Sequence, residues 1–313
     1  MPLDLSFLAT PGMTCDWRMV LAYEAAVEAG VLAALPATPA ELAAGLELEE
    51  GALRALLEGL AVWSVVEVDE QGRYASGAEA PRLQDDAVLR QHAVVIRRWA
   101  TLLGDRLGDR TASCDQLSAR ARPELLLDFL AANARRLIPS VLEICLGRFP
   151  RSGRVLDLGG GHGEYSLELA QRGLRPVLQD LPDVLEIADR DDRLTEAGVE
   201  LFPGDFFATL PPGPFDLVLC AGVTHTFDGQ RNLDLYRRLR TIIAPGGGLA
   251  IVTFLRGRNP VASIFALQML VATEAGDTHG EEGYRRWLGE AGYGPVEVQD
   301  LEGRSQTVVL AGR

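Results

Sequence analysis

The chain contains no lysine: all 30 basic residues are arginine, against 44 acidic ones, for a net charge of −14. That acidic balance argues against phosphate-rich partners, so neither nucleic acid nor an anionic membrane is an expected ligand. Cysteine is scarce. Cys15, Cys114, Cys145 and Cys220 are scattered with no Cys-x-x-Cys pair, which disfavours a disulfide framework or a zinc site and fits a cytoplasmic setting. No apolar run approaches the ~18 residues needed to span a bilayer. Met1-Pro-Leu-Asp-Leu5 lacks the basic start of a secretory signal. There are only four histidines, His92, His162, His225 and His279, so imidazole chemistry has few places to reside. What remains is a chain of 313 residues, 47% hydrophobic, long enough for two domains with a sizeable core.

One stretch carries most of the information. Val155-Leu-Asp-Leu-Gly-Gly-Gly-His-Gly163 is an apolar run interrupted by Asp157, with Gly159, Gly161 and Gly163 at alternate positions. An amphipathic helix pattern, Glu164 to Gln171, starts at once. The reading is a buried strand, a tight glycine turn and a helix N-terminus. Glycine accepts positive φ and leaves no Cβ against a ligand, while a helix start offers free N–H groups and a positive dipole end. The dinucleotide fingerprint Gly-x-Gly-x-x-Gly fails in both registers, because its third glycine would be Glu164 or Ser166.

Further segments extend the pattern. Arg175-Pro-Val-Leu-Gln-Asp180 reads as a second strand ending in an acid 23 residues after Asp157, about the interval at which doubly wound folds place a ribose-binding carboxylate. Gly204-Asp-Phe-Phe207 follows. Phe215 to Gly222 and Pro245 to Phe254 read as the fourth and fifth strands, and the tail supplies two more as an antiparallel pair at one edge. His225, in Val223-Thr-His-Thr-Phe-Asp228, follows the fourth strand and so lies at the carboxyl edge of the sheet, where open α/β folds bind ligands. A neutral imidazole there suits general-base work; the plainer alternative is a loop histidine capping the next helix.

In order and spacing, Asp157-Leu-Gly-Gly-Gly-His-Gly163, Asp180-Leu-Pro-Asp-Val184, Gly204-Asp-Phe-Phe207 and the His225 segment resemble the S-adenosylmethionine-dependent small-molecule O-methyltransferases, the group with caffeate-type and acetylserotonin-type enzymes. The resemblance implies an α/β fold: a class I methyltransferase, Rossmann-like seven-stranded sheet with an N-terminal, mainly helical winged-helix dimerisation domain. It implies transfer of the methyl of S-adenosyl-L-methionine to a hydroxyl of a small aromatic or polyketide-like metabolite. Asp157, Gly159, Gly161 and Gly163 would hold the methionine part, Asp180 the ribose, and Asp205 and Phe206 the adenine, with Leu181 in the same cofactor-binding set. His225 would be the base, oriented by Glu281. Phe129 and Asn133, four apart on one helix face, would line the acceptor pocket. Phe265 and Met269, on an apolar helix over residues 259–274, would join them, although packing on the sheet explains that helix equally well.

The departures from the family pattern are specific. The acid expected after the histidine is Thr226, the tryptophan is Phe227, and one of the two flanking acids falls near Thr253. Fewer carboxylates leave His225 less firmly oriented. That keeps open C- or N-methylation, or hydroxylase- or pericyclase-type chemistry with the same cofactor. No oxygen-ligand set follows the fourth strand, so no metal is expected.

The N-terminal part has its own pattern. Helical spacing over residues 17–35, a short helix over 39–46 capped by Thr38, a third from Glu50 to Trp63 and a hairpin over residues 65–75 make a winged helix. Residues 1–80 carry 13 acids and three arginines, the wrong sign for a DNA-reading module, so a non-catalytic regulator is the least favoured reading. The resemblance implies a homodimer instead, with Thr14-Cys-Asp-Trp-Arg18 reaching across. The expected domains are 1–84 for dimerisation, 85–150 as a helical linker contributing to the substrate pocket, with Arg151-Ser-Gly153 as a hinge, and 151–313 for S-adenosylmethionine binding and catalysis.

Overall fold

The computed structural model describes residues 17–78, 86–109 and 123–313. These form two compact units that divide between Arg97 and Arg98. Thr14 to Asp16, Cys15 and Cys114 lie outside the described residues.

The first unit contains helices α1 (Trp17–Glu28), α2 (Pro39–Leu46) and α3 (Glu50–Val62), then the antiparallel strands β1 (Val66–Val68) and β2 (Tyr74–Ser76). Helix α2 starts where the sequence signals it. Pro39 occupies the first turn, Thr38 Oγ1 accepts from Glu41 N (3.3 Å), and Glu41 Oε2 accepts from Thr38 N (2.8 Å), a reciprocal cap. Leu53, Leu57 and Leu60 recur at helical spacing on α3 and are buried with Met19, Val20 and Tyr23 of α1. Helix α4 (Asp86–Gly108) crosses the division between the units. The boundary expected near residue 84 therefore lies inside a helix at residue 97. The reason is packing: Ala93 and Ile96 belong to the core of the first unit, and Arg97 makes a two-pronged ion pair with Glu24 (both contacts 2.6 Å).

The second unit continues through α5 (Pro123–Arg135) and α6 (Ile138–Arg148) into a seven-stranded sheet of spatial order β5-β4-β3-β6-β7-β9-β8. The strands are β3 (Arg154–Leu158), β4 (Arg175–Asp180), β5 (Glu200–Pro203), β6 (Phe215–Ala221), β7 (Ile243–Thr253), β8 (Val296–Asp300) and β9 (Thr307–Gly312). All pairings from β5 to β7 are parallel, and β9 pairs antiparallel with both β7 and β8. The intervening helices are α7 (Glu164–Gln171), α8 (Pro182–Ala188), α9 (Arg193–Glu196), α10 (Gly229–Ile242), α11 (Pro260–Ala272) and α12 (Glu281–Glu290).

Alternation along the central strands builds two apolar layers. Val155, Leu217 and Leu219 pack with Val141, Leu142 and Cys145 of α6 and with Tyr165 and Leu169 of α7. Leu156, Leu158 and Val218 pack on the other face with Leu235, Tyr236 and Leu239 of α10 and Tyr284 and Leu288 of α12. Burial of each such leucine contributes about 1.5–3 kcal/mol before entropy is counted. The expected hinge before β3 is braced instead, since Asp216 Oδ2 accepts from both Gly153 N (2.9 Å) and Arg154 N (2.8 Å).

The order of connection positions the site. From β3 the chain winds outward through β4 and β5, then crosses back to β6 and winds the other way. Loops after β3 and β6 therefore leave the same sheet edge in opposite directions and open a crevice between them. Among the described residues no helix is long and apolar enough to cross a membrane.

Candidate active site

The glycine loop leaves β3 as the sequence suggests. Gly159, Gly161 and Gly163 have φ of 64°, 50° and 75°. Space is as restrictive as conformation. A Cβ on Gly159 would lie 2.8 Å from Val223 Cγ2 and 3.5 Å from the Phe206 ring, and one on Gly163 would lie 2.6 Å from Leu194 Cδ2. Asp180 at the end of β4 holds the loop from the side: its Oδ2 accepts from Gly161 N (2.9 Å) and its Oδ1 from Leu181 N (2.8 Å). A carboxylate oxygen can accept more than one donor, so a ligand hydroxyl could share these oxygens with the amides. Leu181 is one of the exposed large apolar residues, and Asp205 Oδ1 accepts from Phe207 N (2.8 Å), fixing the turn that presents Phe206 beside Gly159.

Asp157 departs from its expected place. It is fully buried beneath the loop, and a Cβ on Gly160 would lie 2.5 Å from its Cγ. Its Oδ2 accepts from Ser166 Oγ (2.8 Å), while Oδ1 is buried without a hydrogen-bond partner among the described residues. Burial raises its pKa to about 7, with the Ser166 hydroxyl opposing and the charge of Asp180 adding to the rise. A carboxyl group in this place lies behind the loop, under Gly160.

A polar brace that the sequence did not reveal surrounds the loop. His162 Nδ1 accepts from Glu164 N (3.0 Å), capping the start of α7, and burial lowers its pKa to about 4. Arg193 donates to the His162 carbonyl, to Ala188 O (2.9 Å) at the end of α8 and to Glu164 Oε1 (2.8 Å). Glu164 also receives Arg135 of α5, through Nε (3.0 Å) and Nη2 (3.1 Å). Burial pushes the Glu164 carboxyl up, but the two arginines outweigh it and hold it below the usual range.

His225 lies in the short 3-10 turn Thr224–Thr226 after β6, buried at 8% exposure. Its ring meets Phe265 of α11 edge-on (4.8 Å between centroids, 84°), and Phe265 in turn lies 4.3 Å from Phe254. The turn is pinned by its backbone: His225 O accepts from Asp277 N (2.9 Å), and Asn232 Nδ2 donates to Thr224 O (2.9 Å). Thr224 Oγ1 and Tyr284 Oη are 2.9 Å apart, and Tyr284 donates to Thr253 Oγ1 (3.3 Å). Among the described residues the imidazole Nδ1 is buried without a hydrogen-bond partner. Burial, helped by neighbouring His279, lowers the pKa to about 4, so the ring is neutral at pH 7.

Glu281 does not orient this ring. Its Oε2 accepts from Arg258 (2.8 Å) and its Oε1 from Arg285 Nε (2.8 Å) and Nη2 (2.6 Å). Two arginines offering fixed forks outcompete a buried neutral imidazole for a carboxylate. His279, two residues earlier, is the nearer neighbour in role: its Nε2 contacts Phe227 O (2.9 Å) and Asn232 Nδ2 (3.4 Å) behind the turn.

Of the expected pocket residues, Phe265 stands against His225, whereas Met269 is buried at 6% exposure on the same helix. Phe129 and Asn133 are half-buried on α5, with Asn133 Nδ2 donating to Phe129 O (2.9 Å). Trp99 Nε1 donates to Gln268 Oε1 (2.6 Å), tying α4 to α11. Phe207 and Phe227, in T-shaped contact at 4.9 Å, continue the aromatic lining from Phe206. A run of aromatics just after strand ends was the available signal for them.

The O-methyltransferase domain model matches residues 128–294, and the chain belongs to that family. Among relatives, 3-amino-4-hydroxybenzoate 4-O-methyltransferase of Streptomyces cremeus is 35% identical over 151 residues, covering 44% of this chain and 40% of the relative. O-demethylpuromycin-O-methyltransferase of Streptomyces alboniger is 26% identical over 294 residues, covering 84% and 77%. The chain spans 40%, 51% and 39% of the length of the first three curated relatives it matches, about half or less. In fold it is similar to an O-methyltransferase family protein from Burkholderia thailandensis (TM-score 0.79, 23% identity, 95% of each chain). It is also similar to human N-acetylserotonin methyltransferase in complex with SAM (TM-score 0.76, 21% identity, 95% and 94%).

Proposed function

We propose that this chain is an S-adenosylmethionine-dependent O-methyltransferase of secondary metabolism, acting on a hydroxyl of a small aromatic or polyketide-like molecule. The observation that carries the reading is the adjacency of two features at the crevice. The glycine loop with Asp180 adjoins the His225 turn through the contact of Gly159 with Val223. The residues fit the cofactor: Asp180 offers acceptors for vicinal hydroxyls, and Leu181 and Phe206 offer apolar surface for a base. Bound S-adenosylmethionine would supply an electrophilic methyl on a sulfonium centre.

The protein's own part is alignment, exclusion of water and reception of a proton. Phe254 and Phe265 make a dry wall on one side of His225, which keeps the ring neutral and hence able to accept a proton at pH 7. Phe129 and Asn133 of α5 are assigned to the acceptor side. The first unit, with its three helices and hairpin, is assigned to homodimerisation as a winged helix, in a cytoplasmic protein.

A second reading has a specific observation behind it. Among the described residues His225 Nδ1 has no partner, so an imidazolium formed there is poorly stabilised. That favours chemistry in which no strong base is needed, including reactions that keep the cofactor but transfer no methyl group. Incubating the protein with S-adenosylmethionine and a panel of hydroxylated aromatics, and measuring S-adenosylhomocysteine released per product, tests both. One equivalent per product supports methyl transfer. Turnover with none released would leave the second reading standing.

A further inference from the structure

Helix α5 meets the glycine loop at two separated points. Leu127 Cδ2 lies 3.4 Å from where a Cβ on Gly161 would be, at the crest of the loop. Arg135, two helical turns later, grips Glu164 through Nε and Nη2 on one edge of its guanidinium, at 3.0 and 3.1 Å. Phe129 and Asn133 lie between these points along the same helix. One contact would leave the helix free to pivot, whereas two fix its inclination to the loop. Glu164 is the joint, because its other partner, Arg193, also holds the His162 carbonyl inside the loop and Ala188 O at the end of α8. A shift of the loop around His162 therefore reaches α5 through this carboxylate, which is only 12% exposed, as well as through Leu127.

We propose that Glu164 and Arg135 are positioning residues that register the acceptor-side helix α5 against the cofactor loop, so that filling the loop stiffens the helix carrying Phe129 and Asn133. The inference rests on the reading of the loop as the S-adenosylmethionine site. The Arg135 side chain is 60% exposed, and pairs with an exposed arm add little to stability, so cutting the link leaves the fold intact.

Hydrogen exchange of the full chain with and without S-adenosylhomocysteine tests this without any acceptor. In the wild type the ligand should slow exchange over residues 123–135 about threefold or more. Arg135→Gln should keep its affinity for S-adenosylhomocysteine within about twofold by calorimetry, yet lose that slowing. Glu164→Gln should lose the slowing and also weaken binding about threefold to tenfold, since Arg193 then holds a neutral partner. The double variant should be no worse than Glu164→Gln alone, as expected for residues acting through one contact. Should Glu164→Gln fail to fold, Arg135→Gln alone decides. Slowing over 123–135 that persists in Arg135→Gln, or that never occurs in a wild type with ligand bound, overturns the coupling and leaves the cofactor reading intact. A wild type that binds no S-adenosylhomocysteine overturns the cofactor reading, and the coupling with it.

Discussion

The loops after β3 and β6 leave neighbouring strand ends, yet they are held by opposite kinds of force. Around the glycine loop almost every polar group is engaged: Asp180 with two backbone amides, His162 with a helix start, Glu164 with two arginines and Arg193 with three acceptors. Around His225 the backbone is pinned but the ring stands among aromatic groups, with Nδ1 unpartnered. Charge-assisted hydrogen bonds fix geometry tightly and suit a template that must present the same shape in every cycle. An apolar seat fixes protonation instead, keeping a base neutral by denying its charged form a partner. The two ends of the crevice are built for different invariants.

The largest test of that contrast removes the imidazole. His225→Ala should slow the chemical step by ~10²–10⁴ in single-turnover assays while S-adenosylhomocysteine affinity stays unchanged. Equal losses in rate and cofactor affinity would mean that the two ends are one unit. Next in size, Asp180→Ala should weaken cofactor binding by about 1.5–3 kcal/mol in calorimetry, because a charge-assisted acceptor and the anchor of Gly161 are lost together.

pH separates the regions further. His225 must be neutral to accept a proton, and burial lowers its pKa to about 4 from an ordinary 6.5. The acid limb it contributes to the rate should therefore lie near pH 4, and a limb near 6.5 would show the ring to be wetter than its surroundings imply. Stability carries two opposing slopes. His92, His162 and His225 all have pKa values lowered to about 4 by burial. The unfolded chain protonates them first, so stability should fall as pH drops from about 6.5 to about 4. Asp157 works the other way. Its folded pKa is raised to about 7 from 3.8, so the unfolded chain ionises first and stability is lost as pH rises through that window. Asp157→Asn should consequently gain in Tm relative to wild type as pH goes from 4 to 7. A difference that does not vary with pH would show Asp157 ionised in the folded protein.

The smallest expected effect is the most pointed. Glu281→Gln should change the rate less than about threefold, because Arg258 and Arg285 hold that carboxylate away from the ring. A loss of a hundredfold would restore Glu281 as the group that orients His225.

The strand, glycine turn and helix around Gly159 to Gly163 were legible because local chemistry dictates them: positive φ needs glycine, and a buried parallel strand needs an apolar run. Asp180 and His225 were legible by position, since doubly wound sheets place ligand groups at strand ends. Asp157 and Glu281 are engaged by partners that the sequence did not point to, for a common reason. Which way a carboxylate faces depends on what competes for it, and the competitors are long arginines or a serine brought in by the fold. Ser166 reaches Asp157 from the next helix, and Arg258 reaches Glu281 across 23 residues. The Glu164 brace was hidden likewise, because Arg135 and Arg193 each stand 29 residues away on opposite sides of it. The division at Arg97 was invisible because a helix pattern reads the same on both sides of a change of core.

Gly159 and Val223 belong to different loops, yet they occupy one volume: the methyl that any larger residue brings to position 159 would lie 2.8 Å from Cγ2 of Val223, two residues before His225. A side chain at position 159 would press on the turn that carries His225, besides meeting a φ of 64° that only glycine accepts freely, so a lesion in the glycine loop would be felt at the imidazole.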